Sequence, residues 1–198
     1  MRPPKYYPDI IDFRFYPDNI SGSKSDMKEA PMAPAFHLVC GSTGAGKTTY
    51  ALDLTQRLNG IRFSIDEWMV GLFAKDRPEP MPFDWVVERV ERCEQQIGRM
   101  AVQCARAGAA PVLDLSFLRA SNRANFAALA EQAGFSVVLH FLDVPAEERW
   151  NRVQARNETR GETFSLDVPK WMFDFMEKVW EPPTPAEMLA YNGEYADS

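Results

Sequence analysis

The sequence predicts an α/β domain in which helices cover both faces of a central parallel sheet. Four short apolar segments alternate with helical patterns between residues 35 and 180, and this alternation is typical of βαβ units. The segments are almost continuously apolar, as strands are when helices cover both faces of their sheet. The chain has 198 residues, of which 45% are hydrophobic and 25% charged. It is therefore long enough for one globular domain with modest extensions.

The first half of the domain begins with a predicted strand at residues 35–40. A glycine-rich loop follows, and then a helix over residues 47–58 that Asn59 and Gly60 end. A second strand is predicted at 61–65, a helix at 67–74, a proline-containing loop at 75–82, and a long helix at 83–107 that Gly108 stops. Residues 1–34, which are rich in Pro, Asp, Ser and Gly, are interpreted as an extension or linker before a domain at 35–198.

The second half continues with a predicted strand at 111–115 and a helix at 121–133 between Ser121 and Gly134. A fourth strand is predicted at 136–142, and helices are predicted at 146–159 and 167–179. The tail from Glu181 contains three prolines and is predicted to be extended.

The composition excludes several classes of protein. The net charge of −6 argues against an extended nucleic-acid surface. The three cysteines form no CxxC pair, and both histidines lie in apolar runs, so we expect reduced cysteines and core histidines rather than a metal site. No signal peptide or membrane-spanning run is visible. We therefore expect a cytoplasmic protein without membrane contact.

Residues 41–48 read GSTGAGKT, which matches the phosphate-binding loop pattern GxxxxGK[ST] between a strand and a helix. Backbone amides of such a loop and the helix N-terminus bind phosphate oxygens. Lys47 is predicted to reach the β- and γ-phosphates, and the Thr48 hydroxyl to bind Mg²⁺. The alternative is a chance glycine-rich turn. The motif predicts ATP and Mg²⁺ as cofactors, with a nucleotide site formed by Gly41, Ser42, Thr43, Gly44, Ala45, Gly46, Lys47, Thr48 and Thr49.

Two aspartates lie at the predicted strand ends, where ligands of parallel sheets bind. Asp114 lies inside an apolar strand and is interpreted as the second group on the Mg²⁺ side; a capping or salt-bridged aspartate is the alternative. Asp66 follows the second strand and is interpreted as the base that accepts a proton from an attacking hydroxyl. Alternatively, Asp66 is the N-cap of the next helix. It could also fill both roles. Glu67 is the fallback base.

Four arginines at positions 149, 152, 156 and 160 share one side of a predicted helix. Arg152 and Arg156 are predicted to stabilise the transferred phosphate from a lid at about residues 149–167. The alternative is a solvated face paired with nearby glutamates. Arg119 and Arg123 could hold a substrate or a phosphate, or could be ordinary helix-surface residues.

The segment between residues 66 and 108 is predicted to bind the acceptor. It carries aromatic walls that would suit a ring or a sugar, and Trp68 is the candidate substrate contact among them. Helix-spaced aromatic residues are also typical of a hydrophobic core. The larger set is Trp68, Met69, Phe73, Phe83, Trp85 and Met100.

Taken in order, the motifs at residues 41–48, 64–68, 111–123 and 141–156 resemble those of the small P-loop kinases. The resemblance is strongest to the branch that contains zeta toxins, chloramphenicol phosphotransferase and the kinase domain of polynucleotide kinase. It implies a three-layer P-loop NTPase fold with strand order 2-3-1-4, a base at Asp66 and a helical lid with arginines. Polynucleotide kinases pair that aspartate with a nearby arginine, whereas residues 67–70 here are EWMV.

The resulting hypothesis is an ATP-dependent kinase that acts on a hydroxyl group of a small molecule. Two alternatives remain at this point. One is a nucleotide or polynucleotide 5′-hydroxyl kinase, and the other is an ATP-dependent switch protein without an acceptor. The sequence identifies neither the acceptor nor the oligomeric state.

Overall fold

The computed structural model describes residues 34–160 and 167–196 and is built around a parallel sheet. The strand order is β2-β3-β1-β4-β5, and each neighbouring pair is parallel. The predicted α/β class and the 2-3-1-4 order are confirmed, and a fifth strand extends the sheet beyond β4. The strands are β1 (Phe36–Cys40), β2 (Ile61–Ser64), β3 (Pro111–Asp114), β4 (Val137–Phe141) and β5 (Glu194–Tyr195).

Helices connect the strands and cover both faces of the sheet. Their bounds differ from the sequence-based prediction by up to three residues in the segments where helices were expected. A short 3₁₀ turn at Ala74–Asp76 follows the second helix. The helices are α1 (Lys47–Leu58), α2 (Ile65–Phe73), α3 (Phe83–Arg106), α4 (Ala120–Gln132), α5 (Ala146–Thr159), α6 (Lys170–Val179) and α7 (Pro185–Ala190).

The hydrophobic core lies on the two faces of the sheet. Successive residues of a strand point to opposite faces, so Leu38 enters one cluster and Val39 enters the other. The larger cluster includes Ile97 of α3 and Phe126 of α4. The smaller cluster includes Leu54 of α1. The loops that follow β1 and β3 therefore start from strands that are packed on both faces.

The two histidines contact each other where β1, β4 and α1 meet. His37 Nδ1 is 2.9 Å from His140 Nε2, and Tyr50 Oη is 2.9 Å from His140 Nδ1. Burial lowers the pKa of each imidazole to about 4. The three cysteines are buried and unpaired, as expected from their spacing.

The C-terminal tail differs from the prediction, because it forms α7 and β5 rather than an extended segment. Thr184 Oγ1 accepts a hydrogen bond from the backbone N–H of Glu187, and the Glu187 side chain accepts from the N–H of Thr184. Pro185 follows in the first turn, where its missing N–H has no helical partner to lose. The prolines therefore begin a helix here instead of preventing one.

Two predicted segments lie partly outside the described residues. These are the N-terminal extension, of which residues 1–33 are not described, and residues 161–166 of the predicted lid. Within residues 34–160 and 167–196, every helix is too short or too polar to cross a bilayer.

Candidate active site

The loop between β1 and α1 is shaped to surround an anion. Gly44 and Gly46 have φ angles of 83° and 91°, a conformation that glycine adopts without steric cost. Gly46 is the N-cap of α1 and forms no side-chain capping bond, and the first turn contains no acidic residue. The first N–H groups of α1 are therefore available to phosphate oxygens, which the helix dipole also favours.

Arg149, the first of the four arginines predicted to share one side of α5, holds the loop from the side away from the cavity. Arg149 is 5% exposed, and its two terminal nitrogens each lie 2.6 Å from a carboxylate oxygen of Glu177. It also donates to the backbone carbonyls of Thr43 and Val144. Ser42 Oγ donates to the same Glu177 carboxylate at 2.6 Å. Arg149 and Glu177 therefore position the loop.

A cavity of about 520 Å³ opens in front of this loop. Lys47 lies in its wall and donates a hydrogen bond to the carbonyl of Ser42 at 3.1 Å. Burial lowers the pKa of Lys47, and the negative charges of Asp114 and Asp66 oppose that shift. Gly41, Ser42 and Ala45 are not among the lining residues. The loop and helix residues that line the cavity are Thr43, Gly44, Gly46, Lys47, Thr48 and Thr49.

Both strand-end aspartates line the same cavity. Asp114 ends β3, is 5% exposed, and accepts a hydrogen bond from Arg62 Nε at 3.3 Å. Asp66 lies in the first turn of α2; Ser64, not Asp66, is the N-cap of that helix. Burial and then the charge of Asp114 raise the pKa of Asp66, and Lys47, Arg156 and Arg62 oppose the shift. This cluster is suited to holding and moving a proton next to phosphate oxygens.

Thr48 and Asp114 fit the requirements of a magnesium ion that is bound together with a nucleotide. Mg²⁺ prefers oxygen ligands and often uses one or two carboxylates together with substrate phosphates. Thr48 and Asp114 are oxygen donors that line one cavity with Lys47. The described residues contain no cluster of three His, Cys, Asp or Glu side chains that would hold a metal by itself. An ion at this position would therefore need the phosphate oxygens of the nucleotide.

The three arginines that follow Arg149, at positions 152, 156 and 160, divide into two groups. Arg152 and Arg156 line the phosphate cavity. Arg152 donates to Glu148 at 2.6 Å, one turn earlier on the helix. In the described part of the chain, the buried Nε of Arg156 has no hydrogen-bond partner. Arg160 donates to Asp167 and is not among the cavity-lining residues.

A second cavity, of about 300 Å³, lies next to the first and has mostly apolar walls. It is formed by α2, α3, the loop after β3, and α6. Of the aromatic residues predicted for the acceptor region, Phe73 and Trp85 line this cavity. Trp68 does not; it packs against the larger hydrophobic cluster. Trp68 is therefore a half-buried residue that packs against the core, and not a cavity contact.

The two predicted arginines after β3 have different environments. Arg119 lines the apolar cavity. Arg123 lies outside both cavities and is 0% exposed, which corrects its prediction as a substrate contact. Its guanidinium forms an ion pair with Glu187 at 2.8 Å and donates to the carbonyls of Phe117 and Glu181. Arg123 thus holds the tail against the loop after β3.

The two cavities meet at Asp66. Four residues line both of them, namely Asp66, Ser116, Leu118 and Met176. Ser116 and Phe117 have φ angles of 69° and 47°, which are costly for residues with a side chain and are often found at functional sites. A carboxylate at this junction can face a phosphate from one cavity and a second molecule from the other.

Comparison with known proteins identifies the family to which this architecture belongs. The model of a family described as an AAA domain matches residues 36–183. The chain belongs to this AAA-domain family. The match covers β1 to β4, the phosphate-binding loop and every residue that lines the two cavities. No curated protein sequence matches the chain significantly.

Solved structures with similar folds include several kinases. A sugar kinase from Janibacter sp. HTCC2649 is 20% identical, with a TM-score of 0.59 over 83% of this chain and 86% of that one. A gluconokinase from Sinorhizobium meliloti 1021 is 15% identical, with a TM-score of 0.54 over 83% of each chain. The Pnkp1/Rnl/Hen1 RNA repair complex contains a chain that is 16% identical, with a TM-score of 0.57 over 78% of this chain and 46% of that one. These similarities show that this AAA-domain protein has the fold of P-loop kinases.

Proposed function

We propose that the protein is an ATP-dependent phosphotransferase that moves the γ-phosphoryl group of ATP to a hydroxyl group of a small molecule. The observation that carries the proposal is the junction of the two cavities at Asp66. The phosphate-binding loop would hold the triphosphate in the larger cavity, and the acceptor would enter the apolar one. No extended nucleic-acid surface is needed for this reaction.

In the proposed reaction, the acceptor oxygen attacks the γ-phosphorus. A new O–P bond forms, and the bond between the γ-phosphorus and the β–γ bridging oxygen breaks, so that ADP leaves. Asp66 accepts the proton of the acceptor hydroxyl, which it can do only as a carboxylate. Its raised pKa makes it a stronger base than an aspartate of ordinary pKa, because the proton is bound more tightly once transferred.

The negative charge of the transferred group would be balanced by cations on two sides of the cavity. Lys47 projects from the loop side, and Arg152 and Arg156 project from α5. Positive charge that is already in place lowers the barrier, because the transition state spreads negative charge over the phosphoryl oxygens. Thr48 and Asp114 would hold Mg²⁺, which supplies further positive charge to the phosphate oxygens when it is bound.

The test is acceptor-dependent release of ADP from ATP and Mg²⁺ by the purified protein with a panel of alcohols. Asp66→Asn should reduce turnover by about 100-fold or more, since positioned bases contribute factors of that order, and it should leave ATP binding in place. Glu67→Gln is the matched control. Glu67 is the neighbouring carboxylate, but its side chain is 67% exposed and pairs with Arg62, so this variant should turn over normally.

Three outcomes would contradict the proposal. Unchanged turnover of Asp66→Asn would remove Asp66 from the reaction. Slow ATP hydrolysis that no alcohol accelerates would favour a switch protein instead. Transfer only to oligonucleotide ends, with a steep dependence on salt, would favour a polynucleotide kinase.

A further inference from the structure

Glu94 is a buried carboxyl group that the proposed transfer reaction does not use. It is 6% exposed and lines the apolar cavity. It lies on the buried face of α3, in line with Ile97 and Ala101. A carboxyl group in such surroundings is costly unless it is hydrogen-bonded or loses its charge. Its position in the cavity wall therefore needs an explanation.

Within the described residues, no hydrogen bond or ion pair satisfies the Glu94 carboxyl group. Burial raises its pKa to about 8, and the nearby charge of Glu91 acts in the same direction. At pH 7 the group is therefore mainly the neutral acid, which has an O–H to donate. A donor that is buried in the wall of a cavity can be satisfied by a ligand in that cavity.

The rest of the cavity wall limits what such a ligand can be. The cavity has a volume of about 300 Å³, which suits a small molecule. The polyhydroxylated surface of a sugar would lose water here without gaining enough hydrogen bonds, which is unfavourable. An aromatic ring or alkyl chain would instead pack against apolar side chains from several elements, among them Met69, Phe73, Trp85, Val90, Phe117 and Val179.

We propose that the phosphate acceptor is an uncharged alcohol with an apolar ring or alkyl body, and that Glu94 donates a hydrogen bond to a carbonyl or ether oxygen on that body. The proposal rests on the proposed function, because the hydroxyl group must reach Asp66 from this cavity. Glu94 thereby selects the acceptor and orients it, whereas Asp66 takes part in the chemistry.

Three other charged groups also line the cavity. They are Asp66 at the junction with the phosphate cavity, and Arg77 and Arg119. The Arg77 side chain is 45% exposed, and its Nη2 lies 3.8 Å from Oε1 of Glu79. A cationic amino alcohol could pair with an ionised Glu94, but its ammonium group would first have to lose its water among apolar walls. The uncharged acceptor avoids that cost.

Binding to the protein saturated with ADP and Mg²⁺ tests the class of acceptor by calorimetry. The probes are neutral aryl and alkyl alcohols that carry an amide, matched alcohols in which an amine replaces the amide, and simple sugars. We expect the neutral amides to bind at least about tenfold more tightly than their matched amines and the sugars. Tighter binding of the amines or sugars, or the absence of any preference for the neutral set, would overturn the proposal.

Substitutions at Glu94 test the hydrogen bond itself. Glu94→Gln keeps an N–H donor in nearly the same shape, so affinity for the neutral amides should stay within about threefold. Glu94→Leu removes the donor and should weaken binding by about tenfold. Asp84→Asn is the control, because Asp84 lies on the same helix but is exposed and is not among the cavity-lining residues; the affinity of this variant should not change.

Two results at Glu94 would contradict the role assigned to it. Unchanged affinity of a folded Glu94→Leu protein would show that the carboxyl group does not contact the ligand. Loss of amine binding in Glu94→Gln, with tight amine binding in the unmodified protein, would show that the carboxylate binds cations. Thermal unfolding confirms that each variant is folded.

The same set of probes separates failure of this proposal from failure of the proposed function. If neutral alcohols bind at Glu94 but receive no phosphate from ATP, the phosphotransferase proposal fails and the assignment of the cavity stands. If sugars are phosphorylated through Asp66, the phosphotransferase proposal stands and the apolar acceptor is wrong.

Discussion

Gly44 is the residue of the loop at which a side chain has no space. Its φ angle is +83°, and an added Cβ would lie 2.5 Å from the carbonyl oxygen of Arg149 and 2.9 Å from Val153 Cγ2. The close approach follows from the way that Arg149 holds the loop against α5. The glycine is therefore needed for packing as well as for the backbone conformation.

Gly44→Ala should lower the free energy of unfolding and abolish ATP binding. Left-handed strain alone costs about 1–2 kcal/mol, and the contact with the backbone of Arg149 adds to it. Gly108→Ala is the matched control, since Gly108 has a φ of +88° but nothing within 4 Å of an added Cβ. Urea unfolding and calorimetry with ATP measure the two effects. Equal losses of stability in the two variants would contradict the packing argument.

The individual residues also show what a single sequence can predict about the site. Lys47, Thr48 and Thr49 follow from a motif of adjacent residues, and all three line the phosphate cavity. Glu177 does not follow, because it reaches Ser42 across 135 positions of the chain and carries no local pattern. Glu94 had a detectable signal, namely a charged residue on the apolar stripe of an otherwise amphipathic helix.

Helices α5 and α6 are joined to the loop by the pair of Arg149 and Glu177. The burial of Arg149 and its four contacts, to Glu177, Thr43 and Val144, make it a structural link rather than a mobile cation. The arginines on a single predicted helix face thus have different roles. Helical spacing places them on one side, but it does not show which of them has a carboxylate partner on another helix.

Glu177→Gln should destabilise the protein by about 3 kcal/mol, because it leaves the buried guanidinium of Arg149 without its counter-charge. ATP affinity should also fall, since Ser42 and Thr43 lose their anchor. Asp174→Asn is the control on the same helix. Asp174 forms an exposed pair with Lys170, which should contribute less than about 1 kcal/mol. A similar loss of free energy of unfolding for the two variants in urea would contradict the structural role of the pair of Arg149 and Glu177.

His37 of β1 and His140 of β4 should make the free energy of unfolding depend on pH. His37 and His140 have a pKa of about 4 in the folded protein, against the ordinary histidine pKa of 6.5. Between these values the unfolded chain binds protons that the folded protein does not, so each histidine removes stability as the pH falls from about 6.5 to 4, by up to about 1.4 kcal/mol per pH unit.

Nuclear magnetic resonance can follow the protonation of each imidazole directly, because the chain has only 2 histidines. Both imidazoles should remain neutral at pH 5.5 in the folded protein, whereas they should be mostly protonated in urea. Titration of either folded imidazole near pH 6.5 would contradict the buried pair of rings.

Across the complete chain, the central sheet and its loop were predictable and the C-terminal closure was not. Four apolar runs and the motif at 41–48 were enough for the fold class, and the resemblance supplied the strand order that the structure confirms. The helix in the tail was not predicted, because its prolines favour an extended segment, although Thr184 and Glu187 form a capping box. Its ion pair with Arg123 also depends on a contact across 64 positions, which no local pattern reveals.

The proposed reaction requires that the loop hold the triphosphate of ATP beside Asp66. Calorimetric titration of ATP into the protein, with and without Mg²⁺, tests this most directly. We expect uptake of one nucleotide per chain that Mg²⁺ strengthens, that Asp66→Asn retains, and that Lys47→Ala weakens by at least about tenfold. A well-folded protein that takes up no nucleotide in the presence of Mg²⁺ would contradict the central claim.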